Sequence, residues 1–134
     1  FLQGVIFNFI IGNGDAHGKN FSILYEGQSE RLAPFYDLLS TIIYNDTKMA
    51  MKIGGKYKFK EVATRHWDRL GEAIGFKSDF IRRQMLILSN DVAKASTKLF
   101  SELNQDPQTA SPIYEKIMGV IILHHRKTSQ VASD

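Results

Sequence analysis

Asp15 and Asn20 stand five positions apart in the polar run Gly12-Asn13-Gly14-Asp15-Ala16-His17-Gly18-Lys19-Asn20, and Asp37 follows seventeen positions later. Those residue types in that order suit phosphoryl transfer from ATP. The reaction needs a carboxylate beside the attacking hydroxyl, to orient it and accept its proton. It also needs a neutral oxygen ligand for Mg2+ and a second carboxylate on the metal that bridges the phosphates. Asp15 fits the first role, Asn20 the second and Asp37 the third. An Asp-x-x-x-x-Asn pair alone is a weak signal, because such pairs arise in many chains. Gly12, Gly14 and Gly18 add to it, since a tight loop beside polyphosphate needs backbone freedom. They do not form a dinucleotide fingerprint: Gly12-x-Gly14-x-x-x-Gly18 is one residue too long and no strand precedes it. Nor does the Gly-Lys-Ser/Thr of a Walker A loop follow.

The elements around the loop must position these groups. Residues 1–11 read as a buried helix, apolar on most sides, that stops at Gly12-Asn13-Gly14. Residues 21–25 read as a short strand, 26–30 as a turn and 31–36 as a second extended piece, which Pro34 confines to an edge or an irregular path. Asp37 then stands ahead of an expected helical turn at Leu38-Leu39-Ser40. Protein kinases draw the catalytic Asp and the metal-binding Asn from one loop at this spacing, and the second carboxylate from a loop after a hairpin. Order and topology both match here.

Residues 44–59 read as a loop or short hairpin, and from about 60 the pattern turns helical. Val62, Trp67, Leu70 and Ile74 share a face that Gly75 ends. Ile81, Met85, Leu88, Val92, Ala95, Leu99 and Leu103 form a core stripe over residues 79–103, with Ser78 as its cap. Pro112 opens a last helix with Ile113, Ile117, Val120, Ile121 and His124 inward, and residues 126–134 read as a frayed tail. The prediction is a mainly α fold with a minor β-hairpin beside the polar loop. It forms one domain over 1–134, with helix, loop and hairpin in 1–43 and a helical bundle in 60–128.

Composition bounds the function. The 134 residues are 43% hydrophobic and 23% charged, with no Cys, which excludes a disordered tail, a disulfide scaffold, cysteine nucleophiles and thiolate metal sites. No run of eighteen apolar residues occurs and the start lacks signal-peptide features, so no membrane contact and a cytoplasmic location are expected. The chain opens on Phe1 without an initiator Met, as a fragment of a longer protein would. Residues 1–51 hold three Lys/Arg against five Asp/Glu, and the remainder fourteen against nine. The cluster Lys52, Lys56, Lys58, Lys60, Arg65 and Arg69 reads either as a solvated face or as a contact to nucleic-acid phosphates. His66, His124 and His125 lack metal-ligand spacing and read as surface or packing residues.

Gly-Asn-Gly-Asp-Ala-His-Gly-Lys-Asn-Phe-Ser at 12–22 and Leu-Ala-Pro-Phe-Tyr-Asp-Leu-Leu-Ser at 32–40 closely resemble the HipA-like serine/threonine kinases, the toxins of HipBA-type toxin–antitoxin systems. Met51-Lys52-Ile53-Gly54-Gly55-Lys56 is similar too, so the matches run through residues 4–75. The resemblance implies the C-terminal helical lobe of a protein-kinase-like fold, with ATP and Mg2+ required. It implies that Asp15 is the catalytic aspartate and that Asn20 and Asp37 bind the metal. His17, Gly18, Lys19, Asn20, Tyr36 and Asp37 would line the nucleotide. It further implies a HipB-like antitoxin as partner, DNA contact through that complex, and an aminoacyl-tRNA synthetase as the protein substrate. The departure is that the chain corresponds only to roughly the C-terminal third of such a kinase. It has no Gly-rich phosphate loop and no Val-Ala-Ile-Lys-like strand, so little activity is expected of it alone.

Other readings stay open at the level of sequence. Asp15 could cap a turn after Asn13-Gly14, and Asp37 could cap the turn at Leu38-Leu39 while also binding metal. His17 could meet phosphate, meet a loop carbonyl, or hold the loop through its ring nitrogens; Lys19 could neutralise phosphate or be solvated. Small-molecule kinases of the aminoglycoside or choline type share the Asp-x-x-x-x-Asn loop, but usually carry His-Gly-Asp where this chain has Asn13-Gly14-Asp15. From another class, the chain could be a non-catalytic helical module that binds an antitoxin or DNA.

Overall fold

The computed structural model describes residues 1–133, with side chains through Val131. Helix α1 (Leu2–Ile11) leads into the polar loop, whose end makes a short 3-10 turn at Gly18–Asn20. Strands β1 (Ile23–Glu26) and β2 (Ser29–Leu32) form an antiparallel hairpin with Ile23 opposite Leu32 and Glu26 opposite Ser29. A 3-10 turn at Thr41–Tyr44 precedes a second hairpin, β3 (Lys48–Ile53) with β4 (Lys56–Lys58), and a third 3-10 turn at Phe59–Glu61. Helices α2 (Thr64–Ala73), α3 (Ser78–Gln105) and α4 (Ile113–Ser133) complete the fold.

The mainly helical expectation holds, and residues 44–59 take the hairpin alternative rather than the loop. α3 and α4 pair, α1 packs against both, and α2 leans on α3 and β3. The core gathers Ile6, Phe9 and Ile10 of α1, Phe59, Trp67 of α2, and Ile81 and Met85 of α3. α1 is largely enclosed: seven of its ten residues are buried, Asn8 included, and only Gln3 is exposed. The His124 ring lies near-parallel to both Phe9 and Phe59, with centroids at 5.0 and 5.4 Å, and the two phenyl rings also meet each other at 5.6 Å, so the three form one triangular cluster. Its place in the core is the inward one the periodicity of α4 indicated.

Four local expectations are corrected. The second extended piece stops at Leu32, and residues 33–40 run without regular structure past Pro34. Ser78 does not cap α3; it is the first helical residue, and the carbonyl of Lys77 takes the N–H groups of Phe80 and Ile81. The stripe of α3 is buried only to Val92: Ala95 and Leu99 are exposed along an open apolar groove that they share with Phe7 and Ile11 of α1 and Ile121 of α4. The tail is helical through Ser133, fixed by Thr128, which bonds the carbonyl of His124, and by the buried Val131; residue 134 lies outside the described residues.

Candidate active site

Gly12 ends α1 with φ +72°, a conformation that favours glycine, and the Asn13 N–H returns to the carbonyl of Asn8 (2.8 Å). The chain therefore turns out of the core at a fixed point. Gly14 is then gripped on two sides. Its N–H donates to Thr41 Oγ1 (2.7 Å) and its carbonyl accepts from the Ala50 N–H (2.7 Å). A Cβ here would lie 2.5 Å from the Lys48 carbonyl oxygen, so only glycine allows β3 to approach the loop this closely.

Asn20 and Asp37 come together: Asn20 Nδ2 donates to Asp37 Oδ2 at 2.8 Å. The backbone of Asp37 is left-handed, at φ +57°, a turn that carries its carboxylate back toward the loop. No helical turn forms at Leu38–Ser40; the 3-10 turn starts at Thr41, and the carboxylate of Asp37 serves Asn20 in place of a cap. Asp15 projects into solvent, and its Oδ1 lies 2.9 Å from His17 Nε2. The turn after Asn13 is capped by Asn13 itself, whose Oδ1 accepts the Asp15 N–H (3.1 Å), leaving the Asp15 carboxylate free of that duty. His17 is tied to the loop through one ring nitrogen, Nε2, by its contact with Asp15.

Gly18 opens the 3-10 turn that ends at Asn20, and its Cα position is open on the solvent side. Lys19 sits at the turn's exposed edge, and its carbonyl accepts a bond from the Tyr36 hydroxyl (2.9 Å). That hydroxyl also lies 3.1 Å from Ser22 Oγ. Tyr36 thus ties the segment before Asp37 to the loop carrying Asn20, a structural task that sequence reading did not assign to it.

Three further residues were missed. Asn13 is 3% exposed and spends its whole carboxamide on the site, donating to Asn8 Oδ1 (2.8 Å) and to the Asp37 carbonyl (3.0 Å) and accepting from Asp15. Asn8 anchors it from inside α1, donating to the Gly4 carbonyl (2.9 Å). Thr41 holds Gly14. The available signal was Asn8, the lone polar side chain between Val5 and Ile11 in an otherwise apolar helix face.

Away from the loop, burial pushes the pKa of His66 and of His124 down, so both rings are held neutral. His66 Nδ1 accepts the Ala63 N–H (2.9 Å) at the start of α2, and His124 Nδ1 lies 3.2 Å from the Ile10 carbonyl. His125 points the other way, to Ser89 Oγ on α3 (2.7 Å). These are packing roles, as expected. In the basic cluster, Lys56 and Lys58 pair with Glu61, and the Lys52 ammonium sits 4.9 Å from the Tyr57 ring centroid. Among the described residues no helix is long and apolar enough to cross a membrane.

Residues 1–100 match the model of the HipA-like C-terminal domain. A protein of Sinorhizobium fredii named "Putative kinase Y4mE" is 41% identical over 103 residues, which are 75% of this chain and 24% of that protein. The serine/threonine-protein kinase toxin HipA of Shewanella oneidensis is 40% identical over 58 residues, 42% of this chain and 13% of the toxin. In the solved complex of Shewanella oneidensis HipA, HipB and operator DNA, a chain superposes with a TM-score of 0.70 over 98% of this chain and 30% of that one, at 20% identity, which speaks for the fold. The chain thus spans about a quarter of Y4mE, and by sequence and architecture together it belongs to the HipA-like C-terminal domain family.

Proposed function

We propose that this chain supplies the catalytic loop and metal-binding groups of a kinase that moves the γ-phosphoryl of ATP onto a protein serine or threonine, in concert with a further lobe that holds the nucleotide. The observation that carries the reading is the 2.8 Å bond between Asn20 and Asp37, which joins two oxygen-bearing side chains from separate segments on the loop that also presents Asp15. The donor set fits Mg2+. Among the described residues no three of His, Cys, Asp and Glu gather as an all-protein cage. Mg2+ instead favours one or two protein oxygens plus phosphates and water. Asp37 and the Asn20 carboxamide would hold it, and when bound it would neutralise charge on the transferring phosphoryl group.

The chain's own residues do the rest. Asp15, open to solvent, would align the hydroxyl of the acceptor and take its proton, leaving His17 to steady the carboxylate. Gly18 and Lys19 would border the phosphates, and Tyr36 would keep the Asp37 segment in register with them. By analogy with the solved HipA–HipB–operator complex, a HipB-like antitoxin and DNA reached through it are the proposed partners; the resemblance of the loop motifs to HipA-like kinases is what suggests an aminoacyl-tRNA synthetase as the substrate. The test uses the full-length gene product that contains this chain. Asp15→Asn and Asp37→Asn should each abolish transfer of labelled γ-phosphate to protein, with the circular-dichroism spectrum unchanged. Wild-type transfer by either variant would remove that residue from the mechanism.

A further inference from the structure

Asp15 and Asp37 belong to different segments, and the direct bond to Asp37 comes from Asn20, not from Asp15. What spans the remaining gap is a single buried side chain. Asn13 Oδ1 accepts the N–H of Asp15 while Asn13 Nδ2 donates to the carbonyl of Asp37. Its second amide hydrogen goes to Asn8 Oδ1, and Asn8 in turn bonds the Gly4 carbonyl within α1. Both amide hydrogens of Asn13 and one acceptor position of its Oδ1 are thus used, which fixes its orientation. Because the group is buried, each bond is costly to lose and the arrangement has little freedom to rearrange.

Resting on the phosphotransferase reading above, we propose that Asn13 is a positioning residue that sets the distance between the base carboxylate and the metal carboxylate, with Asn8 as its anchor in the core. It is too buried to touch either substrate. Its two ends hold the backbones of the two functional aspartates, one of which sits in a left-handed conformation that its carbonyl bond helps to retain. Displacements of about 1 Å at such a pair cost on the order of 100-fold in rate.

Asn13→Asp is the discriminating variant. It preserves shape and can still accept from the Asp15 N–H, but as a carboxylate it donates neither to the Asp37 carbonyl nor to Asn8 Oδ1. In the full-length gene product, Asn13→Asp and Asn13→Ala should lower kcat by about 10- to 100-fold. They should also raise the Mg2+ concentration that half-saturates turnover, and weaken Mg2+–ADP binding read by calorimetry. Asn8→Leu, which leaves both aspartate bonds possible, should shift the Mg2+ dependence less than Asn13→Ala. Asn13 variants that are folded, by thermal midpoint, and keep the wild-type Mg2+ dependence and Mg2+–ADP affinity overturn the inference. So does a loss of activity that scales only with loss of folded protein. The unsubstituted full-length protein and its Asp15→Asn variant separate the two levels: if the unsubstituted protein transfers no γ-phosphate, the phosphotransferase reading fails, and if Asp15→Asn keeps wild-type transfer, the role given to Asp15 fails, whatever Asn13 does.

Discussion

Along β1 every residue from Ile23 to Glu26 is exposed, whereas in α1 seven of ten residues are buried. The two regions are held by different forces. Behind the site, α1 through α4 are joined by apolar side chains and stacked rings: Phe9 meets Trp67 edge-on at 5.3 Å, and His124 clusters with both Phe9 and Phe59. In front, Phe21 packs on Phe1 and Phe35 at the base of the hairpin, and the loop itself is fixed by single directional bonds from Asn13, Asn20, Tyr36 and Thr41. Packing is strong but non-directional, and it supplies a rigid floor. Hydrogen bonds contribute less net free energy each, yet they fix angle and distance. A site that must meet phosphates and metal in water gains from that division, because its charged groups stay exposed while their backbones remain fixed.

The comparison breaks first at Trp67. It is 1% exposed and fills the space between α1, α2 and α3, so Trp67→Ala should cost about 3–5 kcal/mol in urea unfolding, lowering the midpoint without changing which residues form the loop. A loss below about 1 kcal/mol would mean that the helical region is not the floor described here.

Acidification acts next, and on the same region. Burial lowers the pKa of His66 and of His124, so the unfolded chain binds protons that the folded one refuses. Stability from these rings is full above their ordinary value near 6.5 and falls as pH drops below it toward their lower folded values. The thermal midpoint should therefore fall between pH 7.5 and 5.5, a window above most carboxylate titration. The double variant His66→Gln with His124→Gln should show a flatter profile across that window, from a lower starting midpoint. An equally steep profile in the variant would place the titrating groups elsewhere.

The same division explains what the sequence could tell. Apolar periodicity is a property of the chain itself, so α1, α2, the inner half of α3 and the inward face of α4 were readable, as was the hairpin signalled by Gly27. The outer half of α3 was not, because a stripe reports what could be buried and not what arrives to bury it: Leu99 repeats perfectly and is 53% exposed. Asp15, Asn20 and Asp37 were legible by type and order. The bonds that arrange them were not, since the Asn13–Asp37 contact joins residues twenty-four positions apart and depends on a left-handed turn at Asp37 that favours no particular sequence reading. Tyr36 was noticed for its place beside Asp37, yet its bond runs back to the Lys19 carbonyl.

Tyr36 also gives the smallest and sharpest test. Its ring is half exposed, so removing the hydroxyl forfeits little burial; what goes is the bond to the Lys19 carbonyl and the contact to Ser22 Oγ. Tyr36→Phe should cost about 1 kcal/mol or less in global unfolding, several-fold below Trp67→Ala. Its effect should appear instead as local opening, with faster amide exchange at Asn20 and Phe21, whose N–H groups close the 3-10 turn onto the His17 and Gly18 carbonyls. Exchange in α1 and α3 should stay at the wild-type rate. If Tyr36→Phe instead accelerated exchange throughout the helices, loop and floor would unfold as one unit, and the contrast between directional bonds in front and packing behind would be lost.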